Sequence, residues 1–275
     1  MVEIAELVTY PVKSCAGVST RDATVTPAGL AHDRSFLVVD ENGLFRCQRR
    51  NPRMALIRPE IDPRGERLTL HAPDVEAVSI DVDVTAARRD VEMFGKPYRG
   101  VDQGETVAEW LSEALDAKCR LVRVPPEHDR VSDGLTPGTA GYADSSAVLM
   151  ASEASLEQLN RRLVARGDDR LPMNRFRPNI VVSGWDEPHV EDLARRVVVG
   201  GAELGYAKLA IRCVVTTVDQ DRGEKAGPEP LRTLADYRRA RQGGVAFGAK
   251  FAVTREGGLS VGDEIVVDSW GDTEL

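Results

Sequence analysis

The sequence has 275 residues, a mass of 30.0 kDa and a formal net charge of −8. That length suits one large domain or two small ones, each able to bury a core without disulfide staples. The acidic balance argues against general DNA or RNA binding, which depends on neutralising phosphates, and an aromatic content of 5% offers little stacking surface for single strands.

The chain opens on MVEIAELVTY, which carries two glutamates and no basic region, and so does not read as a secretory signal. No apolar run reaches the ~18 residues of a membrane-spanning helix. The expectation is a cytoplasmic protein with no membrane partner. Through the first hundred residues, short strands alternate with turn formers. Strands are predicted over 2–10, 23–26, 35–39, 54–59, 68–71, 77–82 and 90–93. Pro-Ala-Gly at 27–29, Glu-Asn-Gly at 41–43 and Asp-Pro-Arg-Gly at 62–65 punctuate them. Asp40 to Gly43, followed by Leu44 to Cys47, reads as a hairpin. This spacing predicts a small β-barrel or sandwich.

The pattern changes near Asp102. Val107, Trp110, Leu111, Ala114 and Leu115 recur at three and four residues and predict an amphipathic helix. A strand over 119–124 follows, then a polar stretch from Pro125 to Asp144, long enough to be a binding loop. An apolar strand over 147–151 runs into a helix, with Ser152 or Ser155 as its cap. Strands are expected over 180–182, 196–199 and 209–218. Pro230 opens a third helix with Leu231, Leu234 and Tyr237 on one side, and strands over 251–253 and 264–267 close the chain. The predicted fold is α+β and β-rich, divided near residues 100–125.

Four segments carry residues suited to chemistry. Lys13 and Ser14 stand at a strand end in a turn closed by Gly17, where charge and a hydroxyl can bind an anion; the plain alternative is an exposed turn lysine. Arg34 precedes a strand, where a surface salt bridge is the plain alternative. Ser152 marks a strand-to-helix junction, and a helix N-terminus favours phosphate, although simple capping explains it equally. Arg177 and Asn179 share one face of an extended segment. Cys213 falls on an apolar face with Leu209, Ile211 and Val215, as a small buried hydrophobe would. Arg212 beside it would favour the thiolate, yet alternation points it to the opposite face; both reach one ligand only at a strand end or bulge. The other cysteines, Cys15, Cys47 and Cys119, form no CxxC pair, and no histidine has zinc-site spacing.

Taken in order, YPVKSCAGV (10–18), Asp33-Arg34, ASEASLEQLN (151–160), FRPNIVV (176–182), RCVVTTVDQDRG (212–223) and VGDEIVV (261–267) resemble the MOSC proteins. The likeness is to the subgroup with an N-terminal MOSC β-barrel, which includes the mitochondrial amidoxime-reducing component and its bacterial relatives. It runs from about residue 4 to 267. The resemblance implies an N-terminal β-barrel domain over 1–120 and a MOSC β-barrel domain with peripheral helices over 121–275. It implies a molybdenum cofactor (molybdopterin) with Cys213 as metal ligand and catalytic residue, a role suited to a soft thiolate. Cofactor contacts are implied for Lys13, Ser14, Arg34, Ser152, Arg177, Asn179 and Arg212, with one phosphate held by cations on a helix N-terminus. Ala151 and Ile211 depart from the pattern, standing where relatives often place a polar residue.

The implied activity is reduction of small N-hydroxylated compounds: hydroxylamines, amidoximes or N-hydroxylated bases. Some bacterial relatives carry a ferredoxin domain, and the cluster cysteines for one are missing here. Electrons are therefore expected from a separate ferredoxin- or flavoprotein-type partner. Asp219 or Asp221 is a candidate for proton delivery, against an ordinary turn role. Two alternatives come from other classes: a sulfur or cofactor carrier using a Cys213 persulfide, and a binding module without activity.

Overall fold

A computed structural model describes all of residues 1–275. Strands dominate it, as expected. The largest sheet has eight strands, in the order Val18–Thr20, Glu3–Thr9, Ile180–Ser183, Val148–Ser152, Val245–Arg255, Ala202–Arg212, Ala194–Val199 and Ile265–Trp270. Pairing within it is antiparallel except between Val148–Ser152 and Ile180–Ser183. The helix Glu153–Ala165 carries the crossover between those two strands, as a parallel pair requires.

The first strand belongs to this sheet. Ile4, Leu7, Val25 and Leu30 pack in one buried cluster with Met150, Ile180, Tyr206 and Phe251. Strand residues among the first thirty thus share a core with the second half of the chain, while Val12 and Cys15 pack in the other core. The backbone then crosses over. Phe36 N–H donates to the Pro11 carbonyl and Lys13 N–H to the Phe36 carbonyl, tying Pro11–Lys13 to a four-stranded sheet. That sheet runs Phe36–Val39, Arg120–Arg123, Lys96–Asp102, Arg88–Met93. Beside it lies a three-stranded sheet of Arg58–Ile61, Arg67–Ala72 and Val75–Asp81. The helix Glu105–Leu115 closes the second core with the five residues its periodicity identified, all buried.

Several elements differ from the sequence reading, and for four of them the reason is plain. Pro52–Leu56 is a 3-10 helix, because Pro52 fixes its first turn and removes an N–H that a strand would use. Lys96–Asp102 forms a strand although its residues hardly alternate in polarity, because it pairs along its length with Arg88–Met93. The strand expected over 209–218 starts earlier, at Ala202, and stops at Arg212; a 3-10 turn over Val214–Thr217 follows. The third helix is a single turn, Leu231–Leu234.

The packing of the first strand is testable. Leu7 is 1% exposed inside the larger core, so Leu7→Ala should lower the unfolding free energy by about 2–5 kcal/mol in a denaturant titration. A loss under about 0.5 kcal/mol, the size of a surface effect, would show that the strand is not part of that core.

Candidate functional site

The end of the strand Ala202–Arg212 decides where the site lies. The strand stops at Arg212, and Cys213 is extended (φ −119°, ψ 178°) before the chain turns into Val214–Thr217. Thr216 N–H and its hydroxyl both donate to the Cys213 carbonyl and fix this turn. Because the alternation ends there, Arg212 and Cys213 both face one cavity. This settles what spacing left open.

The cavity has a volume of about 110 Å³ and opens to solvent. Lys13, Arg34, Arg49, Arg177, Arg212 and Lys250 line it, against one lining carboxylate, Asp144. Cys213 is half-buried in its wall, and Arg49 Nη2 donates to its Sγ at 3.5 Å. The other three thiols are buried. Burial pushes the Cys15 thiol up to about 12 and raises Cys119 as well, which makes both unreactive.

Crowded cations need a frame. Asn179 supplies much of it: its Oδ1 accepts from Arg34 Nη1 at 2.9 Å and from Leu149 N–H at 3.1 Å, while Nδ2 donates to Asp33 Oδ1 at 2.9 Å and the Val8 carbonyl at 3.1 Å. All four capacities of the amide are used, so Asn179 orients Arg34 and has nothing left for a ligand. Asp33 Oδ2 accepts from Arg34 Nη1 at 2.6 Å. Tyr10 contacts two guanidiniums, with Arg34 4.3 Å and Arg177 4.2 Å from its ring centroid. Such cation–π contacts favour both charges. Lys13 Nζ donates to the Tyr142 carbonyl at 2.8 Å and to Asp144.

Burial sets the protonation behaviour. It pushes Arg177 down to about 10 and Lys250 down to about 8, and lowers Lys13 and Arg212. Burial works against the charge of Asp144 too, but Lys13 and Lys250 outweigh it and hold the carboxyl below its usual range. Arg212 Nη2 donates to the Phe176 carbonyl at 2.7 Å, yet its buried Nε has no partner. A buried charged donor without a partner is costly. Three lining residues, Ser14 (φ 68°), Arg34 (φ 45°) and Arg177 (φ 55°), hold left-handed backbone, a strain of about 1–3 kcal/mol each that clusters at functional sites.

Lys13, Ser14, Arg34, Arg177, Asn179, Arg212 and Cys213 therefore meet in one cavity. Ser152 does not join them. It caps the helix Glu153–Ala165, accepting from Ser155 N–H, and its hydroxyl donates to buried Glu191 at 3.0 Å. Glu191 also accepts from Ser152 N–H and from the Ser155 hydroxyl. The protein's own carboxyl thus occupies the helix N-terminus expected to seat a phosphate. Ala151 is buried under that helix, whereas Ile211 lines the cavity. Asp219 Oδ1 accepts from the N–H groups of Asp221 and Arg222, an ordinary turn role. Of the loop from Pro125 to Asp144, Ala143 and Asp144 reach the cavity wall.

Arg49, Asp144 and Lys250 were missed. Lys250 left a readable signal: it is the one charged residue in the apolar run Val245–Val253.

Comparison with known proteins places this geometry. Residues 1–118 match the MOSC N-terminal beta barrel domain and residues 137–266 the MOSC domain. The mouse "Mitochondrial amidoxime-reducing component 1" is 36% identical, over 95% of this chain and 81% of its own. The chain belongs to the MOSC family. The human protein of the same name is 34% identical, over 95% of this MOSC chain and 82% of its own. A rice "Molybdenum cofactor sulfurase" is 32% identical over 90% of this chain but only 32% of its own. No helix of the MOSC chain is long and apolar enough to cross a membrane.

The cation cluster makes a pH prediction. Sulfate stays a dianion through the neutral and mildly alkaline range, so any pH dependence of its binding comes from the protein. Lys250 is protonated below about 8 and neutral above it. Sulfate should raise the melting temperature at about pH 6.5 and do so much less at about pH 9.5. Lys250→Met should flatten that difference; an equal sulfate effect at both pH values in the wild type would contradict it.

Proposed function

We propose that this protein is a molybdenum cofactor-dependent oxidoreductase that reduces N-hydroxylated compounds with electrons from a separate redox partner. The observation that carries the reading is the half-buried thiol of Cys213, at a strand end, facing a cavity with six cations and one carboxylate. The donor set suits an anionic cofactor that brings most of its metal ligands with it. No group of three or more His, Cys, Asp or Glu side chains could hold a bare metal, while one soft thiolate can complete the shell of a metal already chelated. The unpaired Nε of Arg212 is a donor awaiting an acceptor.

In this reading Cys213 ligates molybdenum, and Lys13, Ser14, Arg177 and Arg212 hold the anionic part of the cofactor, with Arg34 oriented by Asn179. When bound, the group supplies two-electron redox chemistry at the metal. The chain's own contribution is positioning and charge. Arg49 holds Cys213 Sγ in place by a hydrogen bond. Buried cations neutralise the phosphate of the cofactor, as charge-assisted pairs do. Lys250, balanced near neutrality by burial, can hold or release a proton at the cavity wall. Residues 121–275 are taken as the MOSC unit and residues 1–120 as the barrel unit, with Lys13, Ser14 and Arg34 of the barrel unit reaching the cofactor cavity. The electron donor is a ferredoxin- or flavoprotein-type reductase.

The similarity to the rice sulfurase across 90% of this chain favours a second reading, in which Cys213 carries sulfur as a persulfide. One experiment separates the two. Protein expressed where the cofactor is made should hold about one molybdenum per chain and reduce an amidoxime with an artificial electron donor; Cys213→Ser should hold less than about a tenth as much, since the only protein ligand is lost. Full activity in Cys213→Ala contradicts the ligand assignment. A mass gain of one sulfur atom on Cys213, without molybdenum, favours the carrier.

A further inference from the structure

The cavity facing Cys213 continues outward. Phe45, Cys47, Arg49 and Phe94 line it, and the same four residues line a second cavity beside it, whose walls include Leu44 and Glu92. The shared wall contains a pair of rings, Phe45 and Phe94, with centroids 4.8 Å apart and planes at 61°. Phe94 stands at the tip of the hairpin joining Arg88–Met93 to Lys96–Asp102. Its φ is 56°, and Gly95 after it has φ 73°. Two successive residues with positive φ make the tight hairpin turn that favours Asn-Gly. A bulky aromatic residue is strained there. Burial does not offset the strain, because Phe94 remains 41% exposed. The ring lies instead over the site's cations, 5.4 Å from Lys13 Nζ and 5.2 Å from the Arg49 guanidinium carbon. Arg49 in turn touches Cys213 Sγ. Turn chemistry does not account for a ring at this position, and its packing partners are the residues of the site itself.

We propose that Phe94, supported edge-on by Phe45, is the platform for the ring of an aromatic N-hydroxylated substrate, and so the specificity-determining residue of this site. The inference rests on the reductase reading above and names the substrate class within it. An aromatic ring gains from an offset or edge contact with Phe94 that a small aliphatic hydroxylamine cannot make. Phe94 lines both cavities, so a ring packed on it lies beside the cavity that Cys213 lines. Glu92 in the outer cavity offers a carboxylate acceptor for an N–H of an amidoxime. Phe94 touches substrate but takes no part in proton or electron transfer.

The test uses molybdenum-loaded protein with benzamidoxime and N-methylhydroxylamine as probes. Phe94→Leu keeps apolar bulk without the ring, and Phe94→Asn suits the turn. Calorimetric Kd for benzamidoxime should weaken about tenfold in both variants. The ratio of kcat/KM for benzamidoxime to that for N-methylhydroxylamine should fall by about the same factor. The melting temperature of Phe94→Asn should equal or exceed that of the wild type, since Asn accepts the left-handed turn position. Wild-type Kd and ratio in both variants overturn the proposal. So does a wild type that binds no benzamidoxime, or a marked fall in melting temperature for Phe94→Asn, which would make Phe94 a packing residue. A wild type that binds benzamidoxime through Phe94 but reduces no N-hydroxylated compound contradicts the reductase reading and leaves the platform standing.

Discussion

Six like charges around one cavity repel one another, and the rest of the site follows from how the fold holds them there. At the distances of side chains sharing one pocket, cation–cation repulsion in a partly dry environment amounts to several kcal/mol. A flexible surface would relax by turning these side chains out to water. Here two of them cannot turn out. Arg34 is clamped by Asp33 and Asn179, and both it and Arg177 pack on the Tyr10 ring. The left-handed backbone at Ser14, Arg34 and Arg177 is the conformational side of the same clamp. Strain of this kind persists only where surrounding structure over-determines it, and it fits a pocket organised for an anion before the anion arrives.

The clamp explains why the two halves of the chain interlock. Lys13 and Ser14 follow the first strand, Arg34 and Arg49 lie near the smaller sheets, and Arg177, Arg212, Cys213 and Lys250 come from the larger sheet or its edges. Bringing them together requires the first strand to pair with Ile180–Ser183 and the following segment to cross to Phe36. The cavity therefore forms only when both cores have formed.

Legibility in the sequence followed locality. The helix Glu105–Leu115 was readable because its period appears within eleven residues. The strand Ile180–Ser183 was readable because it is a short apolar run. Cys213, Lys13 and Arg177 were found through segments whose order resembles one family. The pairing of the first strand with residues 180–183 was not readable, because nothing local encodes a contact across that separation. The chain's break after Arg212 was also hidden, since alternation continues on paper through Val215 while hydrogen bonds from Thr216 turn the backbone. Ser152 was misplaced because a helix cap and an anion seat use the same residue type, and only the position of Glu191 distinguishes them.

The central claim is that this cavity stores unfavourable charge and strain that an anionic, thiolate-ligated cofactor relieves. The most direct measurement is thermal unfolding of cofactor-free and molybdenum-loaded protein side by side at neutral pH. The account predicts that the loaded protein melts higher, because the ligand binds only the folded cavity. Equal melting temperatures, or a lower one for the loaded protein, would contradict it.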